Sequence, residues 1–379
     1  MFVQDYIKLF NQGRNNISSW DSNSPILQCG SIDVIDFFCC AGGMTLGFAA
    51  LNQIYKILGG VDLDLNSLEA YRKNYKTPIL QANICTLSKD SKSVEETFGI
   101  SKDHTRPLVM IGCAPCQGFS AHRKKNHGNE DQRNTLIGEF ANMAVRYNPD
   151  FIVMENVPEI LTGKFKNHYM EAKQIFEEYG YFVVQRIYNA AGFYVPQARN
   201  RAIIVASKYP KFNLPDEILS ENEFVTVRDA IGNLPPITPD SPDKKDIYHR
   251  CSCHRQSTID VISQIPHDGG SRPQGVGPKC LDKVSGFYDV YGRLAWDRPS
   301  ITITQYARNP ASGRFSHPEQ NRGLSIREAA RLQSFPDGYI WNGSLGDNFK
   351  QIGEAVPPLL SLAIATQIAL TLMPNNEKV

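Results

Sequence analysis

Cys113 and Cys116 stand three residues apart in the stretch MIGCAPCQGFSAH, at the end of an apolar run and just before a loop rich in Gly, Ser and basic residues. C-x-x-C spacing admits three chemistries: a redox dithiol, half of a metal site, or one reactive thiolate beside a bystander. Other reactive groups also sit at the borders of apolar runs. Glu155 closes DFIVME, and Arg199 and Arg201 alternate in VPQARNRAIIVA just ahead of another run. The elements that carry these residues decide whether they meet.

Six short apolar runs read as buried strands: IDVIDFF (32–38), ILGGVDL (57–63), PLVMIGC (107–113), DFIVME (150–155), YFVVQRIY (181–188) and AIIVAS (202–207). Amphipathic helices lie between several of them, such as TLIGEFANMAVRYN (135–148) and HYMEAKQIFEEYG (168–180). Strand–helix alternation predicts an α/β fold, a mostly parallel sheet with helices on both faces. Ligands of such sheets bind beyond the carboxyl ends of the strands. There the thiol, the carboxyl and the two guanidinium groups would share one cleft. The first strand runs into the glycine turn DFFCCAGGMTLGF, and the next ends in VDLD, where Asp62 could accept hydrogen bonds from ribose hydroxyls. This pairing points to an adenosine-type cofactor. A tight structural turn is the alternative reading of the glycines alone.

Beyond about residue 208 the composition changes to Pro-, Gly-, Arg- and aromatic-rich irregular sequence. A helix is expected again at LSIREAARLQSF, where Ser325 and Glu328 fit a capping box, and a last apolar helix at PLLSLAIATQIALTLM. The expected division is an N-terminal extension (1–30), a catalytic domain (31–207 and 346–379) and a smaller, irregular, β-rich domain (208–345). Lys+Arg 40 against Asp+Glu 39 gives no general attraction to nucleic acid, so any such binding needs a local basic patch. No signal peptide or membrane span is expected. Nine scattered cysteines suggest a reducing cytoplasm. In HRCSCHR, the spacing of His249, Cys251, Cys253 and His254, with Cys280 further on, is not the usual pair of C-x-x-C units, and no metal is expected.

Taken in order, the glycine turn, Pro-Cys-Gln, Glu-Asn-Val, Gln-x-Arg-x-Arg, REAARLQSFPD and GEAVPP resemble the DNA (cytosine-5) methyltransferase family, over most of residues 32–370. The resemblance implies a class I S-adenosylmethionine-dependent methyltransferase fold with a separate target-recognition domain at 208–345. It makes Cys116 the nucleophile that attacks C6 of a flipped-out cytosine in double-stranded DNA. Glu155, protonated or sharing a proton with N3, would neutralise the ring, and Arg199 and Arg201 would hold O2 and orient Glu155. The activated C5 then takes the methyl group. A redox dithiol needs neither Glu-Asn-Val nor Gln-x-Arg-x-Arg, so Cys113 becomes the bystander. By motif position, S-adenosylmethionine would lie on Phe38, Ala41, Gly42, Gly43, Asp62, Leu63, Asn83, Ile84, Pro115, Leu136, Glu354, Ala355 and Val356.

The polar loop after Cys116 would close over the flipped nucleotide, with Gln117, Ser120, Arg123, Lys124, Lys125 and Arg133 toward DNA, joined by Thr302 and Thr304. An ordinary solvated charge run, and a structural hairpin for the two threonines, are the plainer alternatives. Four positions depart from the family's pattern. Cys40 replaces the first glycine of the turn, Leu63 an adenine-stacking aromatic, Asn83 an Asp and Glu354 an Asn. The implied setting is a restriction-modification or phage-defence system with a cognate defence protein as partner. The same chemistry on RNA, and a DNA-binding module without turnover, are the competing functions.

Overall fold

The period-2 alternation of the strands sorts the interior into two cores. Ile32 and Val34 of β1 (Ile32–Phe37) face one core, and Ile35 and Phe37 face the other. β2 (Tyr55–Asp62) and the three-residue β3 (Ile79–Gln81) follow, and then β4 (Leu108–Gly112) and β5 (Phe151–Asn156) repeat the division: Val109, Ile111, Phe151 and Val153 on the first face, Met110, Ile152 and Met154 on the second. β6 (Phe182–Asn189) and β7 (Asn200–Ser207) complete a seven-stranded sheet of order β3-β2-β1-β4-β5-β7-β6. The pairs among β1 to β5 are all parallel, and β7 runs antiparallel between β5 and β6. The six expected strands are present. β3 was not foreseen, since three partly exposed residues leave no apolar run to read.

The computed structural model describes residues 2–24, 29–115, 135–163, 165–282 and 289–373. The helices among them are α1 (Phe2–Ser18), α2 (Gly43–Ala49), α3 (Leu65–Tyr75), α4 (Ile84–Leu87), α5 (Lys92–Phe98), α6 (Leu136–Ala144), α7 (Lys166–Glu178), α8 (Val227–Ile231), α9 (Gln256–Ser263), α10 (Ile326–Leu332), α11 (Leu345–Glu354) and α12 (Pro358–Leu372). Residues of α1, α2, α10, α11 and α12 fill the first core, and residues of α4, α5, α6 and α7 fill the second. The N-terminal segment thus has a structural role: Tyr6, Leu9, Phe10 and Ile17 of α1 are buried at helical spacing. The apolar stretch Leu345–Leu372 is long enough to cross a bilayer, but 83% of its most apolar window is buried in the protein.

The 208–345 stretch shares the first core through Val227, Ile231, Leu294, Trp296, Ile303, Phe315 and Leu324; Ile262, Ile265, Val290 and Tyr291 form a small cluster of their own. It is irregular as expected, but its β structure among the described residues is limited to isolated bridges such as Arg293↔Ser316 and Cys251↔Ser325. A buried guanidinium does the work of a ladder here. Arg293 donates to the carbonyls of Ile262, Ile265, His317 and Gln320 at 2.9–3.1 Å. The capping box expected for α10 is present, with Glu328 N donating to Ser325 Oγ at 3.0 Å and Ser325 N to Glu328 Oε2 at 2.7 Å.

Candidate active site

The carboxyl end of β5 carries Glu155, which is 8% exposed. β7 pairs with β5 so that Glu155 lies opposite Ile203, and Arg201, two residues earlier on β7, reaches across. Arg201 Nε meets Glu155 Oε1 at 2.7 Å. A second guanidinium nitrogen of Arg201 donates to Asn200 O at 2.7 Å, which fixes the plane of the pair. Asn156, the next residue, is buried, and its amide is a brace. Nδ2 donates to Ala114 O at 3.3 Å and Oδ1 accepts from Val157 N at 2.9 Å. Ala114 and Pro115 follow β4 and lead to Cys116. Cys116 itself, with Gln117, Ser120, Arg123, Lys124, Lys125 and Arg133, lies outside the described residues. Cys113 is half-buried against the first core, and its N–H donates to Phe37 O at 3.3 Å.

The two arginines face different partners. Arg199 is 3% exposed. Its Nη1 donates to Ile303 O at 2.8 Å and its Nη2 to Gly353 O and Ala355 O, both at 3.2 Å. Its two terminal nitrogens thus face backbone carbonyls, and of the two arginines expected at the base it is Arg201 that pairs with Glu155. Arg199 precedes β7 by one residue, where two chain segments present three carbonyls to it. Gln197 and Gln333 extend the same network. Gln197 Nε2 donates to Gln333 Oε1 at 2.5 Å, Ile303 N donates to Gln197 Oε1 at 2.9 Å, and Gln333 Nε2 donates to Ala355 O at 2.7 Å. Thr302 Oγ1 donates to Ala198 O at 3.2 Å, and Thr304 Oγ1 accepts from Tyr306 N at 3.3 Å. This buttress ties the Glu155–Arg201 strand to the 300–305 segment and to the Ala355–Val356 turn.

Along the neighbouring edge, the glycine turn follows β1. Phe38, Cys40 and Gly42 have φ of 57°, 47° and 95°. For Cys40 this left-handed conformation is costly, which explains why glycine is usual there. Its backbone N–H donates to Asp62 Oδ2 at 2.8 Å, and its Sγ turns to Ser67 Oγ and Gln351 O, 3.8 Å from each. A Cβ on Gly42 would strike the Tyr75 ring, and one on Gly43 the Val356 carbonyl. Tyr75 OH donates to Gly42 O at 2.5 Å, and Tyr339 OH donates to Ala41 O. Asp62 also accepts from Asp64 N at 2.9 Å, and burial pushes its carboxyl above the ordinary range. Each carboxylate oxygen has a second lone pair for a ribose hydroxyl. Leu63 beside it is 61% exposed, an apolar surface at the carboxyl end of β2. Asn83 caps α4, its Oδ1 accepting from Cys85 N at 3.0 Å, and Ile84 is buried. Phe38 packs edge-on against Phe140, with ring centres 6.3 Å apart. Pro115 and Leu136 are half-buried, Ala355 and Val356 are buried, and Glu354 is exposed at the end of α11. A turn that brings backbone close, an acceptor and an apolar ledge fit an adenosine-type cofactor.

Asp36 lies under that turn and belongs to no motif reading. Its Oδ2 accepts from Thr45 Oγ1 at 2.6 Å, and its Oδ1 has no hydrogen-bond partner among the described residues. Burial raises its pKa to about 7, with the Asp62 charge adding to the rise and the Thr45 hydrogen bond opposing it. A raised carboxyl is protonated in the folded state, so its stability contribution is greatest below the ordinary value near 3.8 and falls as pH rises toward 7. Asp36→Asn should therefore gain stability relative to wild type by about 3 kcal/mol between pH 5 and pH 8. Chemical denaturation at the two pH values checks this, and an equal difference at both would refute it.

The histidine–cysteine stretch does not gather into a metal site. His249 is buried, with Nδ1 on Ser325 Oγ at 2.9 Å and Nε2 on Pro235 O at 2.8 Å. Among the described residues no three His, Cys, Asp or Glu side chains converge. Asn156, Gln197 and Gln333 are the structural residues that motif reading passed over. The signal was there: each is a buried amide inside a block quoted for other residues.

Residues 32–370 match the family described as C-5 cytosine-specific DNA methylase. The chain is 33% identical to the type II methylase M.HgiDII of Herpetosiphon aurantiacus over 91% of this chain and 97% of that one. It is 34% identical to the type II methyltransferase M1.HphI of Haemophilus parahaemolyticus over 93% and 90% of the two chains. Among solved structures, the methyltransferase EhMeth of Entamoeba histolytica superposes with a TM-score of 0.63 at 14% identity, covering 90% of this chain and 99% of that one. The fold, the motif order and these relatives agree: the chain belongs to the C-5 cytosine-specific DNA methylase family and is a DNA (cytosine-5)-methyltransferase.

Proposed function

We propose that this enzyme methylates C5 of cytosine within one specific double-stranded DNA sequence, through a covalent bond between Cys116 and C6 of a base swung out of the duplex. One observation carries the reading. The Glu155–Arg201 pair and the Ala114 carbonyl, two residues ahead of Cys116, are held together by Asn156. A proton carrier and a guanidinium are thereby held beside the chain segment that leads to Cys116.

The Cys116 thiolate adds to C6, and its electron pair forms the Sγ–C6 bond. Glu155 gives or shares its proton at N3, so the ring electrons gather at C5 without leaving charge on the base. Arg201 holds Glu155 through Nε and faces O2 of the base. When bound, S-adenosylmethionine supplies an electrophilic methyl group for C5. Loss of the C5 proton then returns the electron pair that expels Cys116. Arg199 is a positioning residue that acts through the carbonyls it binds. The cofactor would be held by the Phe38–Gly43 turn, Asp62, Leu63, Asn83, Ile84, Pro115, Leu136 and Glu354–Val356. Extraction of the base leaves the loop 117–133 to grip phosphates as a lid, with the 208–345 segment reading the groove and Thr302 and Thr304 near the backbone. The type II names of the relatives support a restriction-modification role with a cognate endonuclease as partner.

Expression in a host lacking cytosine methylation, followed by bisulfite sequencing of plasmid DNA, tests the function. Protected cytosines in one repeated context are expected; none from folded protein would overturn the reading. Cys116→Ala should abolish protection and covalent capture on 5-fluorocytosine DNA, whereas Cys113→Ala should retain most of both. Equal loss in the two variants would remove the bystander assignment of Cys113.

A further inference from the structure

Tyr306 stands in solvent on a backbone that is tightly held. Its ring is 60% exposed, and among the described residues it packs on no other ring and its hydroxyl makes no hydrogen bond. The chain beneath it is pinned. Tyr306 N donates to Thr304 Oγ1 at 3.3 Å, and Tyr306 O accepts from Asn309 N at 2.9 Å and from Ser312 Oγ at 2.8 Å. Ala307, the next residue, is buried in the first core, so the turn cannot roll over to hide the ring. Arg308, on the other side of Ala307, is also exposed and makes no ion pair among the described residues.

Short links tie this turn to the active site. Ser300 N donates to Pro196 O at 3.0 Å and Ala198 N to Ser300 O at 2.8 Å, and the Thr302 and Arg199 contacts continue the seam. Arg201, which holds Glu155, comes two residues after Arg199. On the other side, a Cβ on Gly353 of α11 would strike Gln305 N, 2.1 Å away. Tyr306 therefore projects from a platform shared by the arginine block and the end of α11. Tyr179 is equally exposed, at 60%, but it ends α7, a helix that packs into the second core, away from this seam.

An aromatic ring on a rigid backbone is a stacking platform, because little conformational entropy is lost when a flat partner covers it. Extraction of a base creates such partners. The bases on either side of the gap lose a stacking neighbour, and that loss opposes extraction. We propose that Tyr306 enters the duplex at the gap left by the extracted cytosine and stacks on the flanking bases. The proposal rests on the base-extraction reading. Stacking on an aromatic ring tolerates any base, so Tyr306 sustains extraction without choosing the sequence. Arg308 brings a positive charge to the same turn, suited to the phosphates that flank the gap.

Single-turnover methylation with DNA pre-bound to the whole protein tests this, in the sequence context that bisulfite sequencing identifies. Two substrates are compared: the fully paired duplex, and the same duplex with the target cytosine opposite an abasic site, where extraction is already favourable. Tyr306→Ala should slow the paired duplex about ten-fold or more, within the range for losing one base–aromatic stack, and leave the abasic-site duplex within about two-fold of wild type. Tyr306→Phe keeps the ring and should match wild type on both. Equal slowing on the two substrates, an unchanged rate on the paired duplex, or a Tyr306→Phe rate as low as that of Tyr306→Ala would overturn the proposal. If wild type forms no covalent complex with 5-fluorocytosine in the paired duplex, base extraction itself fails as a reading, and Tyr306 loses its role with it.

Discussion

Glu155→Gln is expected to lower kcat about 10³-fold, within the range for removing a general acid, while DNA and cofactor binding stay close to wild type. Glutamine has the same shape, and its amide oxygen still accepts from Arg201 Nε, which meets Glu155 Oε1 at 2.7 Å. What it cannot do is pass a proton to N3. The loss should appear in kcat rather than in KM, because the proton is needed only as Cys116 adds to the ring. Single-turnover methylation with pre-bound DNA reads this directly; near-normal turnover would remove Glu155 from the chemistry. Arg201→Lys offers a second, separable loss. An ammonium cannot keep the planar contact to the carboxyl while also donating to Asn200 O, so Glu155 would be left partly buried and poorly aimed. Arg199→Lys should behave differently. Its carbonyl partners lie in the 300–305 segment and the Ala355 turn, so its cost should fall on folding and on cofactor affinity together.

That difference between two arginines two residues apart marks the limit of what the sequence discloses. Strand alternation and the parallel-sheet rule bring Glu155 and the glycine turn to one edge of the sheet, whereas the Gln-x-Arg-x-Arg block, which precedes its strand, reaches that edge only because β7 runs antiparallel to β5. The α10 cap was legible too, because Ser325 and Glu328 form a local pattern complete in four residues. Arg199 could not be sorted from Arg201 in this way. Alternation assigns faces only inside a strand, and β7 begins at Asn200. What sets Arg199 is a group of carbonyls contributed by residues 303, 353 and 355, more than a hundred positions away. The same holds for α1. Its buried spacing of Tyr6, Leu9, Phe10 and Ile17 is visible in the chain, but its partner is α12, at the opposite end of the sequence. Non-local satisfaction of polar groups and docking of terminal helices leave no local pattern to read.

The second large effect is expected at a buried ion pair remote from the chemistry. Glu328→Gln should destabilise the fold by about 3–5 kcal/mol, the cost of leaving one partner of a buried pair uncompensated. Arg322 and Glu328 are 3% and 1% exposed. Arg322 Nη1 donates to Glu328 Oε2 at 2.8 Å and Nη2 to Oε1 at 2.6 Å, a two-pronged contact that the Ser325 N–H completes. Burial opposes ionisation of Glu328, but the Arg322 charge and hydrogen bonds overcome it and hold the carboxyl at about 2. A carboxyl so depressed contributes stability above its ordinary value near 4.5, and that stability is lost as pH falls toward 2. His317 adds to the acid limb at higher pH. Its Nε2 lies 3.8 Å from Glu328 Oε1, and burial lowers its pKa to about 4 from an ordinary 6.5. The unfolded chain therefore takes up a proton that the folded one refuses, and stability falls as pH drops through that window. Asp36 works in the opposite sense over nearly the same range, so the two offset each other near pH 5, and the steep loss below pH 4 belongs to Glu328. Urea unfolding of wild type and Glu328→Gln between pH 3 and 8 separates them: the variant should begin less stable and lose its limb below pH 4. A destabilisation under 1 kcal/mol would mean the pair is not the anchor its burial implies. Replacing both partners by apolar residues of similar volume should recover much of the loss. The pair also reaches the active site through α10, whose far end presents Gln333 to Gln197 and to the Ala355 carbonyl. If α10 loosens, the cofactor turn should loosen with it, so Glu328→Gln should weaken S-adenosylmethionine binding while leaving Glu155 and Arg201 untouched.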